Sequence, residues 1–221
     1  LFVKGTDLAP PKNPKYKDIA MGMLKVDNMK DNGKYKNTLA EVFKNRKILT
    51  EESINEALTP PARMLVFLNS TNEEGILGFV DSNREEFGID KETPIKLDRI
   101  RKNDDGSEIF DITYNKEIEL TGSDYGVFSG ASIDVEGGVS LTTKCSGELC
   151  STSASRMADK DIEDIKRNMK EYIKDGRIKF VDPSVGKLKE EDLFDSKGRP
   201  YMGYTTFDQG KMKIVRSPIM V

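Results

Sequence analysis

The sequence predicts an α+β protein with a central antiparallel sheet, short N-terminal helices, and one long helix in the C-terminal half packed on the sheet. Three observations support this prediction. Apolar residues recur at helical spacing over about 159–175, apolar and polar residues alternate over about 110–120, and turn signals separate further short apolar runs. The composition, 36% hydrophobic and 33% charged over 221 residues, is that of a folded chain long enough to bury a core.

The first sixteen residues contain three prolines, which disfavour a helix. Residues 1–16 are therefore predicted to form an extended arm, and residues 17–221 a single domain with a sub-boundary near 151–158. The chain begins at Leu1, and we expect it to be a processed product whose targeting segment is no longer visible.

In the first half of the chain, short helices are predicted to precede the strands. Short helices are predicted at about 38–43 and 51–58, and Thr50 is placed to cap the second of them. The apolar runs at 64–68 and 76–80 are predicted to be strands separated by a loop.

The second half contains hairpin signals on either side of the long helix. The glycines Gly137 and Gly138 interrupt an alternating apolar pattern over 133–141 and predict a hairpin turn there. A further hairpin is predicted over 201–215, where apolar runs flank a turn that contains Gly210.

The charge is uneven along the chain. Residues 1–50 hold eleven Lys and Arg against five Asp and Glu, whereas the remainder is acidic. A basic lead segment could contact a protein partner or an anionic surface. Arginine occurs there once, as Arg46, which disfavours specific recognition of nucleic acid. The residues predicted to contact a partner are Phe2, Lys4, Lys12, Lys15, Tyr16 and Lys17.

Two cysteines, Cys145 and Cys150, are present in the chain. Four intervening residues, one of them Gly147, could close a small disulfide loop, although two free thiols are an open alternative. A bonded pair would favour an extracytoplasmic or virion-like setting, while the localisation itself stays unknown.

The chain contains neither His nor Trp. This excludes nucleophilic dyads and triads that use an imidazole base and zinc sites with His ligands. The remaining motifs are weak: an EF-hand-like spacing at 81–92 lacks the central glycine, and Ser184 and Lys187 have a Ser–Lys spacing interrupted by Gly186. Glu117 and Glu119 share one face of a predicted strand, which ordinary amphipathicity explains. We therefore expect no catalytic, cofactor-binding or metal-binding residues, and no transmembrane segment.

The most distinctive stretch carries regularly spaced glycines at Gly122, Gly126 and Gly130. Residues 125–134 resemble the Gly-Leu-Phe-Ala-Gly-Val-Ser-Leu-Glu-Gly stretch of SYLF lipid-binding domains, and residues 64–69 could match an apolar strand of that family. The resemblance implies contact with lipid. It spans about a tenth of the chain and has no counterpart for the family's glycine-rich N-terminal half, so we do not assign the chain to this family.

These observations favour a non-catalytic structural or interaction subunit of a larger assembly, which contacts protein partners in a homo- or hetero-assembly. The alternative is a domain that binds lipid or another anionic surface through the basic N-terminus and the segment 122–130. A third hypothesis is an enzyme that uses carboxylates or a lysine, and a cleft in which acids of perturbed pKa converge would favour it.

Overall fold

Seven strands occur in the part of the chain that the computed structural model describes, which is residues 2–59, 72–155, 157, 159–184 and 188–217. Their bounds are β1 Ile95–Lys102, β2 Glu108–Leu120, β3 Ala131–Thr143, β4 Leu149–Ala154, β5 Ile178–Lys179, β6 Gly203–Asp208 and β7 Lys211–Arg216. The strand order is β1-β2-β3-β7-β6-β5, and β4 pairs with β3.

The sheet is mixed. Pairs β1/β2, β3/β4 and β6/β7 are antiparallel, whereas β3/β7 and β5/β6 are parallel. The α+β class is confirmed, whereas the central sheet, which was predicted to be antiparallel, also contains parallel pairs. The parallel pair β3/β7 joins strands that are distant in sequence, so no local turn signal could reveal it.

Helices occupy the N-terminal part of the chain and one long segment of the C-terminal half. Their bounds are α1 Phe2–Asp7, α2 Tyr16–Lys30, α3 Lys36–Asn45, α4 Glu51–Leu58, α5 Glu73–Ser82, α6 Arg84–Phe87 and α7 Asp159–Lys174. Short 3₁₀ helices lie at Ser123–Phe128 and Glu190–Leu193. The predicted cap of α4 is confirmed, because the Thr50 hydroxyl accepts a hydrogen bond from the Ser53 amide.

The chain divides into two compact units. The first unit comprises Leu1–Asn115 and Glu136–Arg156, and the second comprises Lys116–Val135 and Met157–Val221. The chain passes from one unit to the other at three points, and one of them, between 156 and 157, lies inside the segment 151–158 where the sequence suggests a sub-boundary.

The main core of the first unit joins its strands to α5. Ile76 and Val80 are fully buried there against Phe110, Ile112 and Leu141. The strand predicted at 76–80 is wrong, since the run belongs to a helix that begins after Asn72, whose side chain accepts from the Gly75 amide. The strand predicted at 64–68 lies outside the described residues.

The hairpin predicted at Gly137 and Gly138 is also wrong, because β3 runs through both without a turn. These glycines provide space for other residues. A Cβ on Gly137 would lie 2.3 Å from the Tyr114 ring, and a Cβ on Gly138 would lie 2.6 Å from Pro11.

The extended conformation predicted for the first residues is wrong over Phe2–Asp7, which is helical. The three prolines all follow this helix. Helix α1 crosses α2 at two glycines: a Cβ on Gly5 would lie 2.6 Å from the Met23 side chain, and one on Gly22 would lie 2.2 Å from the Gly5 carbonyl oxygen. Leu8, directly after α1, is buried.

A buried aspartate ties α1 to the strands of the first unit. The Asp111 carboxylate is fully buried and accepts hydrogen bonds from the guanidinium groups of Arg99 and Arg101 and from the Ser140 hydroxyl. Arg101 also donates to the Asp7 carboxylate at 2.7 Å. These charge-assisted hydrogen bonds hold the end of α1 in place.

The second unit is built as predicted around the long helix. Apolar residues of α7, including Ile162, Ile165 and Met169, pack against a cluster that contains Ile133 and Ile214. These helix side chains are only partly buried. The hairpin predicted over 201–215 is confirmed as the β6/β7 pair.

Candidate functional site

Both cysteines of the chain are free thiols, so the disulfide considered from the sequence is not formed. The exposed Cys145 thiol donates to the Asp105 carbonyl at 3.3 Å, because it faces the turn between β1 and β2. Cys150 is buried in β4 and donates to the Glu148 carbonyl, and burial raises the pKa of its thiol. The sequence favoured an oxidising compartment only if the two cysteines were bonded, so this reason for such a compartment no longer holds.

The two cysteines line the same cavity, which has a volume of about 420 Å³ and lies in the first unit. Helices α1 and α2, the β1–β2 turn and the β3–β4 turn form its walls. Apolar side chains in the lining include Leu8, Val26 and Ile109, which are buried, and Met29, which is 44% exposed. This volume falls in the range of about 300–1,000 Å³ that is usual for binding cavities.

Three lysines line this cavity: Lys4, Lys30 and Lys144. Lys30 pairs with Asp105 at 2.9 Å, and Lys144 pairs with Glu148 at 2.8 Å. Hydrogen bonds from Ser107 and then from Lys30 hold the pKa of the Asp105 carboxyl well below its usual range. The hydrogen bond to Glu148 raises the pKa of Lys144.

Lys4 differs from the other two lysines. Within the described part of the chain, its ammonium group has neither a hydrogen-bond nor an ion-pair partner. The other carboxylate of the lining on this side, Asp7, is engaged by Arg101 at 2.7 Å. The cavity therefore presents apolar side chains and one uncompensated positive charge.

The structure does not bring the six predicted contact residues to one place. Lys4 lines the cavity, whereas Lys15 and Lys17 line a narrower cleft nearby in the same unit. Lys12 pairs with Glu136 at 3.3 Å. Phe2 is 61% and Tyr16 is 85% exposed, so both aromatic rings are accessible.

The narrower cleft, of about 140 Å³, surrounds Lys25. The Lys25 ammonium donates to the Thr152 carbonyl at 2.9 Å. Burial lowers its pKa, and the nearby carboxylates Glu56 and Asp18 oppose this effect. Burial raises the pKa of Asp18, against a hydrogen bond from the Lys15 amide. Sequence reasoning missed Lys25, because a lysine between apolar residues of an amphipathic helix carries no signal of its own.

The other sequence motifs do not form sites in the described residues. The EF-hand-like stretch 81–92 lies on α5, α6 and the loop after them, and no group of three or more Cys, Asp or Glu side chains there or elsewhere in the described residues could hold a metal ion. Lys187 of the Ser–Lys spacing lies outside the described residues. Glu117 and Glu119 are exposed, as strand amphipathicity predicts.

Comparisons with known proteins identify no relative. Neither protein-family models, nor curated proteins, nor solved structures give a match. Among the described helices, none has the length and apolar character needed to cross a bilayer.

Proposed function

We propose that the protein is a non-catalytic interaction subunit whose first unit binds an acidic segment of a partner protein. The observation that carries this proposal is the cavity next to α1, with its apolar lining and the uncompensated charge of Lys4. In this arrangement one apolar side chain of the partner enters the cavity, and a carboxylate beside it pairs with Lys4.

The energetics of protein interfaces support this arrangement. Binding energy concentrates in a few side chains that fill pockets and lose their water, while charges around them set specificity and association rate. Met29, at 44% exposure, and Phe2, at 61%, would lose apolar exposed surface when a partner covers α1 and the end of α2. The net positive charge of residues 1–50 favours an acidic partner.

A defined peptide panel tests the proposal. The probes are a fluorescent Glu-Glu-Leu-Phe-Glu-Glu peptide, its Lys-for-Glu counterpart, and a Glu-Glu-Ser-Ser-Glu-Glu peptide that lacks the apolar pair. We expect only the first peptide to bind, with an affinity that falls as salt increases. Binding should also slow the alkylation of Cys145, which lines the cavity and is exposed.

Matched variants locate the binding site. Lys4→Ala should weaken peptide binding about tenfold, equivalent to about 1.4 kcal/mol. Lys91→Ala removes an exposed lysine of the same unit that is not part of the cavity and should have no effect. Equal affinities for all three peptides, or equal effects of the two variants, would overturn the proposal.

The same assay separates a protein partner from a lipid surface. Vesicles of phosphatidylserine and of phosphatidylcholine are added in place of the peptides. Binding to the phosphatidylserine vesicles alone, with no binding of the acidic peptide, would indicate that the partner is an anionic membrane and not a protein.

The cleft around Lys25 supports a second candidate function, chemistry at a lysine amine. A lowered pKa increases the fraction of neutral, nucleophilic amine at a given pH. Such an amine adds to an aldehyde and loses water to form an imine, which cyanoborohydride reduces to a secondary amine by hydride transfer. With glyoxylate as the aldehyde, preferential labelling of Lys25 over exposed lysines such as Lys91 would support this function. Labelling of exposed lysines alone would reject it.

A further inference from the structure

The sheet of the second unit has one apolar and one polar face. Ile118 and Leu120 are buried in the core that α7 covers, so the intervening Glu117 and Glu119 lie on the opposite face. Ser132 on β3 lies on this polar face as well, next to the buried Ile133 of the core face, and is paired with Lys213 on β7.

A cleft of about 430 Å³ lies entirely within the second unit, and this polar face forms one side of it. Strand β2 contributes Glu117 and Glu119, and β3 contributes Ser132. The β6–β7 hairpin contributes Lys211 and, from the face that carries Met212, Phe207.

Three polar groups of the cleft, those of Ser132, Glu119 and Lys211, have no partner in the described residues. The Ser132 side-chain oxygen is buried, in a residue only 3% exposed, and has no hydrogen-bond partner in the described residues. Leaving a buried hydroxyl without a partner is costly, so a ligand that supplies one is favoured. The Glu119 carboxylate likewise has no ion-pair or hydrogen-bond partner in the described part of the chain.

The remaining charges of the cleft define the sign of the ligand. Glu117 is 3.6 Å from the Lys213 ammonium, which Asp134 also approaches at 3.7 Å. Lys211, at the hairpin, is the one cationic residue of the lining, against the two carboxylates of Glu117 and Glu119, so the lining is negative overall. The unpaired carboxylate and the unsatisfied hydroxyl oxygen both complement a cation that carries N–H groups.

We propose that this cleft binds an organic cation with N–H donors, either a guanidinium or a primary ammonium group. Glu119 pairs with its charge, and Ser132 accepts a hydrogen bond from it. The source of this group is a free amine or the side chain of a protein. The inference is independent of the function proposed for the first unit.

Isothermal titration of the full chain tests this inference. The probes are methylguanidine, a Gly-Ser peptide with blocked ends that contains one arginine, and the same peptide with citrulline in place of arginine. Citrulline is the neutral counterpart of arginine. We expect both guanidinium probes to bind and the citrulline peptide to bind at least tenfold more weakly. Tighter binding of methylguanidine would identify a free cation as the ligand, and tighter binding of the arginine peptide would identify a protein side chain.

Four variants locate the site. Glu119→Gln should weaken binding about tenfold, whereas Lys211→Ala should strengthen it, since a like charge is removed. Ser132→Ala should weaken binding yet leave the unfolding midpoint equal or higher, because it removes an unsatisfied buried hydroxyl. Glu171→Gln, at an exposed carboxylate of α7 outside the cleft, serves as the matched control and should change nothing.

Two results would overturn the inference. One is equal binding of the arginine and citrulline peptides, which would show that charge is not recognised. The other is an equal effect of Glu119→Gln and Glu171→Gln, which would show that general charge of the protein, and not this cleft, attracts the cation.

Discussion

Substitution of Gly22 by alanine tests the crossing of α1 and α2. A Cβ at Gly22 would lie 2.2 Å from the Gly5 carbonyl oxygen, and 3.0 Å from the carbonyl carbon. Since relaxed C···O contacts are about 3.3–3.6 Å, α1 would have to move by about 1 Å. Both atoms of the close contact belong to the backbone, so no side chain can rotate to relieve it.

Two opposing effects set the magnitude of this change. Alanine within a helix gains about 0.8–1 kcal/mol over glycine, whereas overpacking typically costs about 1–3 kcal/mol. Displacement of α1 would also strain the ion pair between Asp7 and Arg101. We expect Gly22→Ala to lower the free energy of unfolding by about 1–2 kcal/mol in urea denaturation.

Gly78→Ala is the matched control. Gly78 lies within helix α5, and a Cβ there would meet no atom within 4 Å. The helix preference then acts alone, and this variant should raise the free energy of unfolding by about 0.5–1 kcal/mol. If both variants were stabilising, α1 would not be packed on α2, and the reasoning about the N-terminal segment would fail.

Three further predictions concern the thiols, the long helix and the response to acid. Thiol titration of the denatured, unreduced protein should find two thiols, and a value near zero would indicate a disulfide. In the folded protein, the exposed Cys145 should react fast and the buried Cys150 slowly. Ile165→Ala should lower the free energy of unfolding by about 1–3 kcal/mol, which is less than for a fully buried residue. Glu171→Ala should change it by no more than about 0.5 kcal/mol. Equal unfolding midpoints for the two variants would contradict the packing of α7. The pKa of Asp105 is lowered in the folded protein, so as pH falls through 3.8 the unfolded state takes up the proton first and the free energy of unfolding declines. Asp105→Asn should therefore make the free energy of unfolding less dependent on pH in this acidic range. An unchanged pH dependence would show that this carboxyl does not contribute.

Local patterns in the sequence predict the elements whose neighbours are close in the chain. The periodicity of α7, the cap at Thr50 and the turn at Gly210 are all local signals, and the structure contains each of these elements. Gly137 and Gly138 resemble a turn in the sequence, but glycine is needed there because side chains from distant segments occupy the space of a Cβ. Such tertiary constraints leave no short-range pattern.

The candidate sites illustrate the same limit. Lys4 and both cysteines stand out in the sequence for separate reasons, yet nothing there places them around one cavity with Met29. The cleft of the second unit contains Glu119, whose position on a polar strand face is predictable. Its proximity to the β6–β7 hairpin depends on a mixed sheet order that the sequence does not reveal.

The tie between α1 and the strands affects how the protein matures on the ribosome. Asp7 lies 94 positions before its partner Arg101, and Ala9 lies 131 positions before Ser140, whose hydroxyl is 3.3 Å from the Ala9 carbonyl oxygen. At about 5–20 residues per second, the first of these partners emerges roughly 5–20 s after α1 has been synthesised. During that interval the end of α1 lacks its partners on the strands, and the first unit closes only after the intervening segment of the second unit, Lys116–Val135, has also been translated. The first unit is therefore expected to close only after Ser140 has emerged, and chaperones can bind α1 until then.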